Sequence, residues 1–391
     1  MYNSLEAFLD NKPLYYDKID YDAISVSWDI LKNCIELPYV IHIVGTNGKG
    51  STGRILASFL NQLDKNILHY SSPHILKFNE RIWINGIDSN DEQLNNAHSK
   101  LQIILPPHLI EKLTYFEYTT LIALYLSSKM DFIVLEAGLG GEFDATNVVK
   151  NDLTLITTIG LDHQDFLGDT IEEIASTKMR SCDTKFILGY QIYKDKIDIT
   201  KDEVLKEKNE LIFDDSYIDQ LKQIVLNNSD ILLPEYLEYN LSLSLKALNH
   251  LGFLSDSLVL PTLFGRFEYI EKNITIDVGH NPIAAFMILN QLQKNNQKVK
   301  LIYNSYKDKD YNEVIKILKP VIQEVQIIKC DDDRMVESKQ LKKIINNLSV
   351  NVIDFDILDM NDEDQYLVFG SFIVVNEFLN IYKEKKNVSK R

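Results

Sequence analysis

A chain of 391 residues is long enough for two domains with separate cores, and 45% hydrophobic with 25% charged residues is the balance of an ordinary globular protein. Its formal net charge of -16 excludes a general nucleic-acid binder, because no basic excess exists to displace counterions, although a local basic pocket for a polyanion stays open. No apolar run approaches the roughly 20 residues of a membrane-spanning helix, and Cys34, Cys182 and Cys330 lack CxxC spacing, which argues for reduced thiols and against a metal cluster.

In chain order, the N-terminal MYNSLEAFLD has neither a basic region nor an apolar run, so no secretory signal is expected and the cytoplasm is the expected compartment. Short helical patterns precede Tyr39. The apolar run Tyr39–Val44 predicts a strand that feeds a glycine-rich turn and then a helix over 54–63. Further strands are expected at 67–69, Phe132–Glu136, 153–159 and Lys185–Leu188, with helices over 116–128 and 170–180. Strands alternating with helices predict a largely parallel sheet covered on both faces. The polar region 194–230 reads as peripheral helices and loops, and 236–251 as one more helix, ended near Gly252. Apolar periodicity stops over 255–261, which places the domain boundary between 1–258 and 259–391. A second alternating series follows, with strands at 274–278, 300–303, 324–328, 350–355 and Tyr366–Phe369. Helices at 284–294, 313–318, 339–347 and 372–382 separate them.

The segment IHIVGTNGKGST at 41–52 carries the strongest chemistry. Strand, glycine turn and helix in that order aim backbone N–H groups and a helix N-terminus at one spot, which suits a polyphosphate. Gly45, Gly48 and Gly50 let the backbone approach an anion closely. Lys49 can reach outer phosphates, and Ser51 or Thr52 can offer a hydroxyl to Mg²⁺. The spacing differs from the usual GxxxxGK[ST] because Gly50 separates the lysine from the first hydroxyl.

Ligands of parallel α/β sheets collect at the carboxyl ends of the strands. The residues there are the phosphate loop, the run 70–74 with Ser72, the strand-terminal Glu136, and the run 160–163 with His163. A lysine, hydroxyls, a carboxylate and an imidazole together suit Mg²⁺ and a triphosphate. Taken singly, each has a plain alternative: Glu136 a surface acid, His163 a hydrogen-bonded structural residue, Ser72 a turn former before Pro73, Lys178 a solvated lysine. In the C-terminal half, Arg266 and the strand-to-helix turn Asp277-Val278-Gly279-His280-Asn281-Pro282 form a second cluster, which suggests a cleft between domains. An ion pair with a helix cap is its alternative.

Together these segments resemble the folylpolyglutamate synthase / dihydrofolate synthase family of the Mur ligase superfamily, over nearly the whole chain. The resemblance rests on GTNGKGST (45–52), SSPHILKFNERIWING (71–86), TYFEYTTLIAL (114–124), LEAGLGGEFDATN (135–147) and LDHQDFLGDTIEEIASTK (161–178). GRFE (265–268), DVGHNP (277–282), DKD (308–310) and FGSF (369–372) complete it. It implies a P-loop ATPase-type, mostly parallel sheet domain and a smaller Rossmann-like α/β C-terminal domain. The implied reaction is ADP-forming: a pteroate or folate carboxylate becomes an acyl phosphate, which the amine of L-glutamate attacks.

By the same resemblance Gly48, Lys49, Gly50 and Ser51 hold the phosphates, and Asn240, Arg266 and Asp277 contact ATP with His280 beside them. Ser51, Ser72 and Glu136 are implied ligands of one Mg²⁺. His163 and a carbamylated Lys178 would hold a second, and a monovalent cation is a further candidate. The implied catalytic set is Lys49, His163, Lys178, Asp277 and His280. Thr114, Tyr115, Phe116 and Glu117, with Phe143, Asp144 and Ala145, resemble the pterin or folate pocket. The implied partners are small molecules, with no nucleic acid and no membrane, and the expected state is a monomer. Three departures stand out: Met179-Arg180 in place of Ala-Gly-Ile after Lys178, Glu142 in place of Arg after GLGG, and Asp20-Tyr21-Asp22-Ala23 in place of a Gly-Leu and Arg segment. Another Mur-type amino-acid ligase and, from a different class, a P-loop nucleotide-dependent switch are the competing readings.

Overall fold

The computed structural model describes residues 4–12, 21–229, 233–361 and 363–389. They fall into two compact units, one running to Leu233 and resuming over Leu237–Pro261, the other made of Pro234–Tyr236 and the chain from Thr262.

The first unit is built on eight strands: β1 (Tyr39–Val44), β2 (Ile67–Tyr70), β3 (Ile82–Ile84), β4 (Ile87–Asp88), β5 (Phe132–Glu136), β6 (Leu153–Ile156), β7 (Lys185–Leu188) and β8 (Asn209–Glu210). Their order is β4-β3-β2-β5-β1-β6-β7-β8. From β2 to β8 every neighbour is parallel, and β3 and β4 add an antiparallel edge. The run VIHIV of β1 and all of β5 are buried, as strands covered on both faces must be. The expected strand over 153–159 ends at Ile156. Thr157 and Thr158 leave it to hold the phosphate loop instead: Thr157 N–H bonds to Val44 O, and Thr158 O accepts from Thr46 and Asn47 N–H.

Several further elements were not expected from the sequence. The β3–β4 hairpin turns through Asn85 and Gly86, both at positive φ, the backbone that an Asn-Gly pair adopts at low cost. The helix Asp91–Ile104 begins with a capping box, Asn90 and Gln93 each accepting the other's backbone N–H. Within 194–230, read as helices and loops alone, the two-residue β8 pairs with β7. Of the residues 20–23, Asp20 lies outside the described residues, and the others open the helix Tyr21–Leu31, with Ala23 buried.

The second unit holds β9 (Glu268–Glu271), β10 (Ile274–Asp277), β11 (Val299–Tyr303), β12 (Ile322–Ile327), β13 (Asn351–Asp354) and β14 (Tyr366–Phe369). The order is β13-β12-β11-β14-β10-β9, parallel except for β9. That edge strand went unread because its sequence, EYIE, alternates polar and apolar and buries little. Leu301, Val325, Leu367 and Phe369 line the core against the helices Pro282–Lys294, Tyr311–Leu318 and Ser338–Asn347. Among the described residues, no helix is long and apolar enough to cross a membrane, and all three cysteines are free.

Candidate functional site

The site begins at the carboxyl end of β1. Gly48 is the N-cap of the helix Lys49–Gln62 at φ 93, so the helix starts five residues before the expected position and the loop's Lys49, Gly50 and Ser51 form its first turn. A Cβ on Gly48 would stand 2.4 Å from Asn240 Oδ1, and one on Gly45 would stand 1.9 Å from Thr157 Oγ1. These glycines are where neighbouring side chains press against bare backbone. Ser244, one turn after Asn240, donates to Thr52 O at 3.0 Å and holds its helix against the phosphate-loop helix.

Two lysines meet on one carbonyl. Lys49 Nζ donates to Gly45 O at 3.2 Å and Lys178 Nζ to the same oxygen at 2.9 Å. Lys178 is buried, and burial first, then the charge of Lys49, bring its pKa down from 10.5 to about 7. Asp162 and Asp144 oppose that shift. Glu136, also buried, ends β5 and accepts from Ser72 N–H at 3.2 Å. A Cβ on Gly50 would lie 3.1 Å from its Oε2, so the carboxylate faces the first turn of the phosphate-loop helix. His163 is exposed at φ 51, its Nε2 3.8 Å from Asp162 Oδ2. Among the described residues no three His, Cys, Asp or Glu side chains form a metal cage of their own. Mg²⁺ does not need one, since it keeps waters and shares phosphate oxygens with one or two carboxylates.

The expected substrate residues divide by local role. Thr114 and Glu117 form the capping box of the helix Tyr115–Leu126 and are buried. Phe116 stacks on Tyr70 with ring centroids 5.7 Å apart and lies against Gly138, while Tyr115 lies under the Arg81 guanidinium at 5.3 Å. Arg81 also donates to His74 Nδ1, and burial followed by that charge lowers the His74 pKa to about 4. Phe143 is 67% exposed. Asp144, half-buried, accepts from Leu139 N–H, Thr146 N–H and Thr146 Oγ1, and Ala145 is buried behind it.

In the second unit Asp277 is a hub. Its Oδ2 accepts from Tyr236 OH at 2.6 Å and Phe267 N–H at 2.9 Å, and its Oδ1 from Gly279 N–H at 2.7 Å. Burial raises its pKa against these donors and Arg266. Arg266 lies over the Phe372 ring at 5.1 Å, and His280 Nδ1 meets Val278 O at 3.2 Å.

The Mur ligase middle domain family matches residues 43–212, the stretch that holds the phosphate loop, Glu136 and Lys178. The dihydrofolate synthase/folylpolyglutamate synthase of Haemophilus influenzae is 32% identical, over 93% of this chain and 95% of that protein. The chain belongs to the dihydrofolate synthase/folylpolyglutamate synthase family. It is accordingly a ligase with the Mur-ligase fold. The Helicobacter pylori folylpolyglutamate synthetase structure covers 98% of this chain and 99% of its own at 34% identity and TM-score 0.75. Escherichia coli FolC in complex with DHPP and ADP gives TM-score 0.81 at 25% identity, over 97% of each chain.

Within this family frame, two departures noted separately in the sequence prove to be one feature. Arg180 Nη1 pairs with Glu142 Oε2 at 2.9 Å, so the positive charge missing at 142 stands across from it at 180. Sequence reasoning also passed over His42 and Thr157 as site-building residues, and it took Asp162 only as part of the run 160–163. His42 lies within the quoted segment 41–52 and Thr157 within the expected strand 153–159, where nothing local distinguishes them from ordinary strand residues.

Proposed function

We propose that this chain joins the amine of L-glutamate to the carboxylate of a pteroate or folate, driven by ATP, with dihydropteroate, a folyl-(poly)glutamate or both as the acid. The observation that carries this reading is the meeting of Lys49 and Lys178 on the Gly45 carbonyl, beneath a glycine loop at a helix N-terminus. The FolC complex with DHPP and ADP supports it. A substrate carboxylate oxygen attacks the γ-phosphorus, the bond to the bridging oxygen breaks, and ADP leaves. The glutamate nitrogen then attacks the acyl carbon, phosphate leaves with the C–O electron pair, and the ammonium proton passes to solvent. Protein groups mostly position and neutralise charge.

Gly48, Lys49, Gly50 and Ser51 are assigned to the phosphates, with Asn240 beside Gly48. Arg266, Asp277 and His280 are assigned to nucleotide handling. Asp277 already accepts three hydrogen bonds, so it acts by holding the turns that carry the other two. Phe116, Phe143 and Asp144 are the substrate-facing choices, with Thr114 and Glu117 holding their helix in place. Glu136 with the Ser51 and Ser72 hydroxyls is an oxygen set that fits one Mg²⁺, and His163 with a carbamylated Lys178 fits a second; a monovalent cation is a further candidate. Bound Mg²⁺ supplies charge neutralisation to the phosphates. An ammonium at Lys178 would repel such an ion. With its pKa near 7 the amine is substantially neutral at that pH, and its nitrogen can attack CO₂, form a C–N bond and lose a proton to give a carbamate anion.

Purified protein with ATP and Mg²⁺ should release phosphate only when glutamate and either dihydropteroate or tetrahydrofolate are both present. Equal phosphate release without the acids would overturn the ligase assignment. A monomer in light scattering and a cytoplasmic location complete the proposal.

A further inference from the structure

We infer that His42 and Thr146 are positioning residues that hold the Asp144 carboxylate toward the substrate through a one-way hydrogen-bond chain. This inference rests on the assignment of Asp144 to the substrate site. His42, in the middle of β1, and Thr146, which follows the loop after β5, are both buried at 1% exposure. His42 Nε2 lies 2.8 Å from Thr146 Oγ1, and Thr146 Oγ1 donates to Asp144 Oδ1 at 2.5 Å. A hydroxyl has one proton. Since Thr146 gives its own to Asp144, the proton between His42 and Thr146 belongs to the imidazole. The chain therefore runs from Nε2–H to the hydroxyl and from the hydroxyl to the carboxylate.

The imidazole suits that task because it has one protonation state at working pH. Burial brings its pKa down to about 4, so it is neutral and carries a single N–H. Its Nδ1 has no hydrogen-bond partner among the described residues, and the one proton is best used at Nε2. With Leu139 and Thr146 N–H also donating to Asp144, every group fixing the carboxylate is a donor. The acid, half-buried, is thus locked in place as an acceptor. Its free lone pairs suit a ligand edge that presents N–H donors, such as the amidine-like edge of a heteroaromatic ring.

The same strand row reaches another expected substrate residue. His42 is in register with Leu135 of β5, and Leu135 with Tyr70 of β2, so the three side chains share one sheet face. Tyr70 carries the Phe116 ring stacked on it. One buried row thereby sets both an acceptor and an aromatic face.

The test compares Thr146→Val, which keeps shape and loses the hydroxyl, with Thr146→Ser, which keeps the hydroxyl. Thr146→Val should raise KM for the pteroate or folate substrate about tenfold or more, the scale of a lost hydrogen bond to a charged group. The KM for ATP should stay within about twofold, and Thr146→Ser should restore the substrate KM. His42→Phe should move the same KM in the same direction, and the double variant His42→Phe/Thr146→Val should be no worse than Thr146→Val alone, because links of one chain do not add. If His42→Phe does not fold, the two Thr146 variants decide. An unchanged substrate KM in Thr146→Val, alongside a raised one in Asp144→Asn, overturns the chain and leaves the substrate site standing. An unchanged KM in Asp144→Asn overturns the substrate assignment and the inference with it.

Discussion

Replacing Lys178 with Met keeps the length of the side chain and removes the charge that the fold disfavours. In the native state the amine titrates at about 7, against 10.5 for the ordinary lysine of an unfolded chain. Between those two values the unfolded chain holds a proton that the native one has released, so stability rises with pH there, by at most about 1.4 kcal/mol per pH unit. Stability from this group is fully restored above 10.5 and lost as pH falls to 7, below which both states are protonated and the cost is constant. Lys178→Met has no such term. In Mg²⁺-free, CO₂-free buffer the variant should be the more stable protein at pH 7, and its advantage should shrink by about 2 kcal/mol between about pH 7 and pH 9. Parallel urea titrations at closely spaced pH values read this, because all other titrating groups cancel in the difference. The variant should be inactive, and bicarbonate with Mg²⁺ should stabilise the parent alone. A stability difference that stays constant from pH 7 to pH 9 would refute the neutral, buried amine and remove the physical basis for carbamylation.

Lys49→Ala should cut turnover by about two orders of magnitude or more, as expected when a group that neutralises phosphate charge is removed, with an unchanged circular dichroism spectrum. Near-normal ADP release at saturating ATP would sink that role. Glu136→Gln keeps shape and loses charge, so its Mg²⁺ titration midpoint should move at least about tenfold, the scale of perturbed metal sites. An unmoved midpoint would make Glu136 a structural acid. Gly48→Ala forces a Cβ into a φ of 93 and to within 2.4 Å of Asn240 Oδ1. The backbone term alone costs about 1–2 kcal/mol, so a lower Tm together with weaker ATP binding is expected by calorimetry. A variant matching the parent in both would mean that the glycine is dispensable.

Much of the fold was legible because its rules are local. Alternating apolar runs and amphipathic segments located β1, β5, β7 and β14, and the Asn281-Pro282 pair marked a helix start where Asn281 does cap Ala284 N–H. The glycine loop was legible for the same reason: its residues are neighbours in the chain. What escaped depends on distance in space. That Lys178 titrates far below a solvated lysine follows from its burial and from Lys49, a residue of a distant helix. That Glu142 and Arg180 compensate each other appears once the loop after β5 meets the end of the helix Ile171–Met179. His42 looks like any half-polar strand residue until Thr146 arrives 2.8 Å from its ring. Dihedral preference and hydrophobic period are written residue by residue, whereas desolvation and Coulomb energy depend on which residues the fold packs together.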